Sequence, residues 1–170
     1  MRGRRTLSLI VGAVLVGTLV PAAANASPAT SRLQTLTYFF KQTSQSFTTS
    51  SGKPLSSNQA LARGDILFVT ENLYLGDKAH HNPKSTTTAF LYCTVKKVTK
   101  SAAKAKCEGV IAIGKSMLIS ESTQNLASTS KTHFYPITGG TGKYLNATGG
   151  VTTTDLNKSG TESNGVLKID

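Results

Sequence analysis

Tryptophan is absent from this chain, cysteine occurs only twice, and just eight residues are acidic. Each scarcity excludes something. Two cysteines, Cys93 and Cys107, are too few for a zinc ribbon or a disulfide-dense scaffold. They leave one disulfide, or two buried thiols. With aromatics at 6% of residues and no helix or zinc signature, stacking platforms and groove readers are missing, so no nucleic acid is expected as partner. The longest apolar run, Leu7 to Val20, is shorter than the roughly 20 residues that span a bilayer and is ended by Pro21. No stable membrane insertion follows from it. A sustained helical period of apolar residues is missing too, which sets aside helix bundles.

What is present begins with a three-part leader. Arg2, Arg4 and Arg5 form a charged start, Leu7 to Val20 an apolar centre, and Ala24-Asn25-Ala26 a small-residue cleavage site before Ser27. Residues 1–26 therefore read as a signal peptide, and the protein as secreted. Residues 27–170 are enough for a single domain with a sizeable core. An oxidising destination favours a Cys93–Cys107 disulfide, closing a short loop. Without the leader, sixteen Lys and Arg stand against eight Asp and Glu, a net charge of about +8. Lys96, Lys97, Lys100, Lys104 and Lys106 crowd between the cysteines, where they read as a solvated hairpin end or an anion-binding surface.

Short β-branched and aromatic runs recur with turn residues between them, which predicts an all-β domain. The runs are Gln34–Lys41, Ile66–Leu75, Thr87–Val98, Lys106–Ser122, Thr132–Ile137, Lys143–Asp155 and Ser163–Ile169. The fourth is long enough for two strands, or for one with a bend at Gly114. Seven or eight strands allow a closed barrel or a sandwich. Thr43 to Ser57 reads as a long connection, Asn58 to Ala62 as a candidate turn of helix, and the glycines of Ile137 to Tyr144 as a tight turn. Alternate residues of a strand share a face. By that rule Leu91, Cys93 and Val95 lie together, as do Cys107, Gly109, Ile111 and Ile113, so the two sulfurs can meet across a hairpin. Leu67, Val69, Glu71, Leu73 and Leu75 form another row. Glu71 is an acid embedded among leucines, either inside a cavity or on an outward face.

Cofactor motifs are missing. Gly139-Gly140-Thr141-Gly142-Lys143 lacks the glycine a phosphate loop needs at Ile137 and the hydroxyl residue it needs at Tyr144. His80-His81 lies in a Gly/Asp/Asn/Pro-rich connection without partners at metal-ligand spacing, so neither a metal nor another cofactor is expected. A catalytic triad or nucleophile elbow is not discernible, and a disulfide would remove both thiols from chemistry. His133 sits in a β-run with Tyr135 and is suited to proton transfer near neutral pH.

The segment Gly64-Asp65-Ile66 through Leu73-Tyr74-Leu75-Gly76-Asp77, together with Gly139-Gly140-Thr141-Gly142-Lys143-Tyr144, resembles allene oxide cyclases and dirigent proteins. The resemblance runs from about Gly64 to Ile169. It implies an antiparallel eight-stranded closed β-barrel with a largely apolar cavity, in a family whose chemistry is stereocontrol of cyclisation and radical coupling. Glu71 stands where the cyclase pattern has an asparagine that holds an ordered water, and the cyclase's first-strand glutamate has no counterpart here. The implied partner is a small apolar or aromatic molecule, whose cyclisation, isomerisation or coupling the barrel would steer. Glu71 and His133 are the catalytic candidates, and Tyr92 and Tyr135 the pocket candidates. A carrier or surface-interaction module without catalysis stays open, as does a homo-oligomer.

Overall fold

The computed structural model describes residues 33–56 and 59–170. The signal peptide read over residues 1–26 lies outside the described residues. Eight strands run β1 (Gln34–Thr48), β2 (Ile66–Leu75), β3 (Thr87–Val98), β4 (Ala103–Ile113), β5 (Ser116–Asn125), β6 (Thr132–Gly140), β7 (Gly149–Asp155) and β8 (Glu162–Ile169). Each pairs antiparallel with its neighbour in sequence, and β1 pairs with β8 to close the barrel. The β5–β6 seam is the short one, paired only between Leu118–Ser120 and Ile137–Gly140.

Alternation decides what fills the interior. Leu67, Val69 and Leu73 of β2, Ala89, Cys93 and Val95 of β3, and Ala105, Cys107 and Ile111 of β4 are buried at every second position. They form two apolar clusters. The larger joins Tyr38, Phe40, Leu73, Ile111, Leu118 and Leu167 with residues of β6 and β7, and the smaller joins Leu67, Val69, Ala105 and the two cysteines. Full burial of a leucine such as Leu73 or Leu118 contributes about 1.5–3 kcal/mol. Cys93 and Cys107 stand directly opposite across β3 and β4, with Cα atoms 4.0 Å apart, and are joined by a disulfide. The pairing inferred from parity is the one observed.

Three local readings need correction. β1 does not stop at Lys41 but continues to Thr48, so the first part of the supposed Thr43–Ser57 connection is strand. Its polar composition hides a half-buried Phe47 that pairs with Leu67, and a bulge between Gln42 and Ser44 breaks the alternation a reader would look for. Gly139 and Gly140 belong to β6 and not to a turn. Gly140 is glycine because the carbonyls of Met117 and Tyr144 approach too closely to admit a side chain. The chain then turns through a short 3-10 helix, Gly142–Tyr144. Among the described residues 59–62 no helical turn forms, and Asn58 lies outside them. The fourth run resolves into β4 and β5, joined at Gly114 with φ +61°.

Candidate functional site

Between the two apolar clusters the barrel holds a cavity of about 190 Å³. Val69, Ala89, Ile111, Leu118, Ile137 and Val151 supply much of its wall, and Phe40 lies against it from β1. The remaining lining breaks the apolar pattern. Gln42 (β1), Glu71 (β2), Ser120 (β5), His133 and Tyr135 (β6), Thr153 and Asp155 (β7) and Ser163 (β8) all border the same space. Each sits where strand parity would otherwise carry an apolar residue inward.

Local geometry explains how these groups converge. Glu71 and Gln42 are register partners beside the β1 bulge, where the Thr43 hydroxyl is 3.0 Å from the Thr70 carbonyl and 2.6 Å from the Thr70 hydroxyl. Such a bulge re-aims side chains next to it. His133 and Tyr135 are two apart on β6 and therefore share the inward face, opposite Thr153 and Val151 of β7. Asp155 ends β7, its backbone N–H donating to the Lys131 carbonyl at 2.7 Å. Its carboxylate oxygen lies 3.5 Å from His133 Nε2, with both side chains half-buried.

Burial dominates the electrostatics. The Glu71 carboxyl is pushed up to about 7, first by loss of water around it and second by the negative charge of Asp155. Tyr135 is pushed up to about 12 by the same desolvation, with Glu71 and then Asp155 adding to it. At neutral pH Glu71 can therefore both give and take a proton, while Tyr135 stays a neutral donor. The imidazole of His133 beside Asp155 is a second proton-handling group in the same space. No thiol takes part, since both cysteines are in the disulfide.

Of the residues expected from sequence, Glu71, His133 and Tyr135 meet in this cavity. Tyr92 does not: it lies on the outer face, 42% exposed and in register with Phe68, so it is no pocket wall. Parity with Cys93, its inward-facing neighbour, already forbids an inward Tyr92. Asp155, Gln42, Thr153 and Ser163 were not singled out from the sequence. Asp155 shares the parity of Val151 and Thr153, a signal available in the sequence, whereas Gln42 depends on the bulge. A smaller hollow of about 160 Å³ on the disulfide side is lined by Cys93, Cys107, Leu126 and Gln124, with His133 and Tyr135 shared between the two spaces. His81, in the connection after β2, stacks on Phe39 with ring centroids 5.0 Å apart.

Phe40 sets the cavity's width on one side, and Gly165 of β8 lets it lie flat, because a methyl group there would collide with the ring. Gly165→Ala is expected to cost about 1–3 kcal/mol. The displaced ring would also narrow the cavity, so urea unfolding and ligand capture should both fall. Unchanged stability would show that the ring has room elsewhere.

No sequence family profile and no curated protein matches the chain. Among solved structures it is similar to a pyocyanin demethylase, with TM-score 0.61 and 22% identity over 81% of this chain and 100% of the other. It is similar also to the pterocarpan synthase dirigent protein GePTS1, with TM-score 0.54 and 14% identity over 81% of this chain and 83% of that one. A third likeness is the Diels–Alderase AbmU from Streptomyces koyangensis, with TM-score 0.54 and 10% identity over 85% and 72%. The chain thus has the fold of dirigent proteins and cyclase barrels, an eight-stranded antiparallel barrel around an interior cavity.

Proposed function

We propose that this is a secreted barrel, matured by removal of residues 1–26, that binds a small apolar or aromatic molecule and steers its isomerisation or cyclisation by proton transfer. The observation that carries this reading is the belt of ionisable groups around the cavity, Glu71, His133, Tyr135 and Asp155, set between apolar walls. An interior meant only to be packed would exclude such groups, because burying a carboxylate without partners costs free energy. Glu71 is the proton-transfer group at neutral pH, His133 the second, and the remaining walls hold one conformer of the ligand. The activities by which similar solved structures are named, a demethylase, a pterocarpan synthase and a Diels–Alderase, are all small-molecule chemistry and support the choice of ligand class.

The test is native mass spectrometry of the disulfide-intact protein incubated with extract of its own culture. A retained small molecule is expected. Its turnover should drop roughly 10²-fold or more in Glu71→Gln and in His133→Phe, the usual loss on removing a general acid or base. Retention without any turnover would leave a carrier, and no retention across extracts would sink the ligand-site reading.

One observation favours a second reading, a surface-interaction module. Lys97 and Lys104 stand directly opposite in the β3–β4 ladder, and Lys96 and Lys100 are exposed beside them. Like charges in register are unfavourable unless an anion offsets them. Binding of a polyanion there should weaken steeply with salt, whereas cavity binding of an apolar molecule should not.

A further inference from the structure

The charge of the cavity is opposite to that of the protein. The chain carries 19 Lys and Arg against 8 Asp and Glu, yet two of those acids line the cavity and no lysine or arginine does. Lys41, Lys131 and Lys158, close in sequence to lining residues, are all exposed. His133 is the one lining side chain able to carry positive charge, and it stands 3.5 Å from Asp155. Apart from His133, which stands beside Asp155, no described side chain that borders this space offers the Glu71 carboxylate a cationic partner. The polar and titratable groups that border the cavity together with Glu71 are Gln42 of β1, Ser120 of β5, His133 and Tyr135 of β6, Thr153 and Asp155 of β7 and Ser163 of β8. None of them other than His133 supplies positive charge.

We propose that the cavity selects a flat ring system bearing a positive charge or a protonated ring nitrogen over neutral and anionic molecules of the same shape, with Glu71 and Asp155 as its counter-charges. This rests on the cavity being a ligand site. Shape and charge agree. A cavity of about 190 Å³ is somewhat larger than the roughly 150 Å³ that accommodates benzene in a dry core, which suits two fused rings. Phe40 and Tyr135 offer aromatic surface on which such a cation is favoured. A bound cation also favours the ionised form of Glu71, so binding and proton release from that carboxyl are linked. Occupancy should therefore rise as the pH climbs through neutrality. An anionic ligand would meet Asp155 with nothing but His133 to offset it.

Calorimetric titration with three bicyclic probes tests this: N-methylquinolinium, its neutral isostere 1-methylnaphthalene, and the anion 1-naphthoate. At pH 8 the cation should bind at least tenfold tighter than the neutral isostere, with the anion weakest. At pH 5.5 the cation's advantage should shrink several-fold. Glu71→Gln and Asp155→Asn should each weaken the cation about tenfold and leave 1-methylnaphthalene unchanged, which also reports that the variants are folded. If a variant fails to fold, the ranking and pH dependence of the unmodified protein decide alone. Equal binding of cation and neutral isostere, or preference for the anion, overturns the charge selection while leaving the ligand site standing. Failure of all three to bind overturns both.

Discussion

Glu71→Gln is expected to stabilise the barrel at pH 8 by up to about 3 kcal/mol and to change it little at pH 4. The sign follows from where the proton sits. In the unfolded chain this carboxyl has its ordinary value of 4.5, whereas in the folded barrel it is pushed up to about 7 by desolvation and by Asp155. Below 4.5 both states hold the proton and the group is neutral in its effect. Between 4.5 and 7 the folded state holds more protons than the unfolded one, so stability falls as pH rises. Above 7 the full penalty is in place. Glutamine imitates the protonated acid at every pH and removes the penalty. The figure is an upper one because the cavity admits solvent to part of the carboxylate. Urea unfolding from pH 4 to pH 8 should give a falling curve for the natural protein and a flatter one for the variant. Two parallel curves would show that Glu71 ionises as freely in the barrel as in water. A gain in stability paired with a loss of turnover is the trade expected of a group kept for chemistry.

Loss of the Cys93–Cys107 bridge is the second large effect. The two cysteines are 14 residues apart in sequence, and closing a loop of that size stabilises the folded state by about 3 kcal/mol through the unfolded chain. The double variant Cys93→Ala with Cys107→Ala should lower the urea midpoint accordingly, and the natural protein in reductant should follow it. Both sulfurs are buried, so reduction will need transient opening of the hairpin end before the bond is reached. The bridge also lines the smaller hollow that shares His133 and Tyr135 with the main cavity. Ligand affinity should therefore decline along with stability. An unchanged midpoint in both experiments would show that β3 and β4 are fully held by their ladder and their neighbours.

Much of this was legible from the chain because strand parity is a short-range property. The row Leu67, Val69, Glu71, Leu73 already sets an acid on the same face as apolar side chains, which the structure shows to be the inward one, and the positions of Cys93 and Cys107 already allowed two sulfurs to meet from apolar sides. His133 and Tyr135, two residues apart, had to share a face. The same rule, applied to Tyr92, turns that side chain outward, and applied to Asp155 from Val151 turns that carboxylate inward. The continuation of β1 beyond Lys41 was illegible for a different reason. Thr43 to Thr48 has the polar composition of a loop, and its partnership with β2 arises from Phe47 packing and from a bulge, neither visible in local pattern.

The sequence by itself determined the all-β class, which residues of a run share a face, a favoured disulfide and an acid set in a row of leucines, since all of these depend on alternation and on the chemistry of single side chains. Which faces meet was decided by the tertiary structure alone. Glu71, His133, Tyr135 and Asp155 come from β2, β6 and β7, and apart from the His133–Tyr135 pair no spacing along the chain relates them. They become one site because closure of the sheet through β1 and β8 brings opposite walls together across a narrow interior. That closure also raises the Glu71 carboxyl, because desolvation by the facing walls and the nearby charge of Asp155 exist only in the folded barrel.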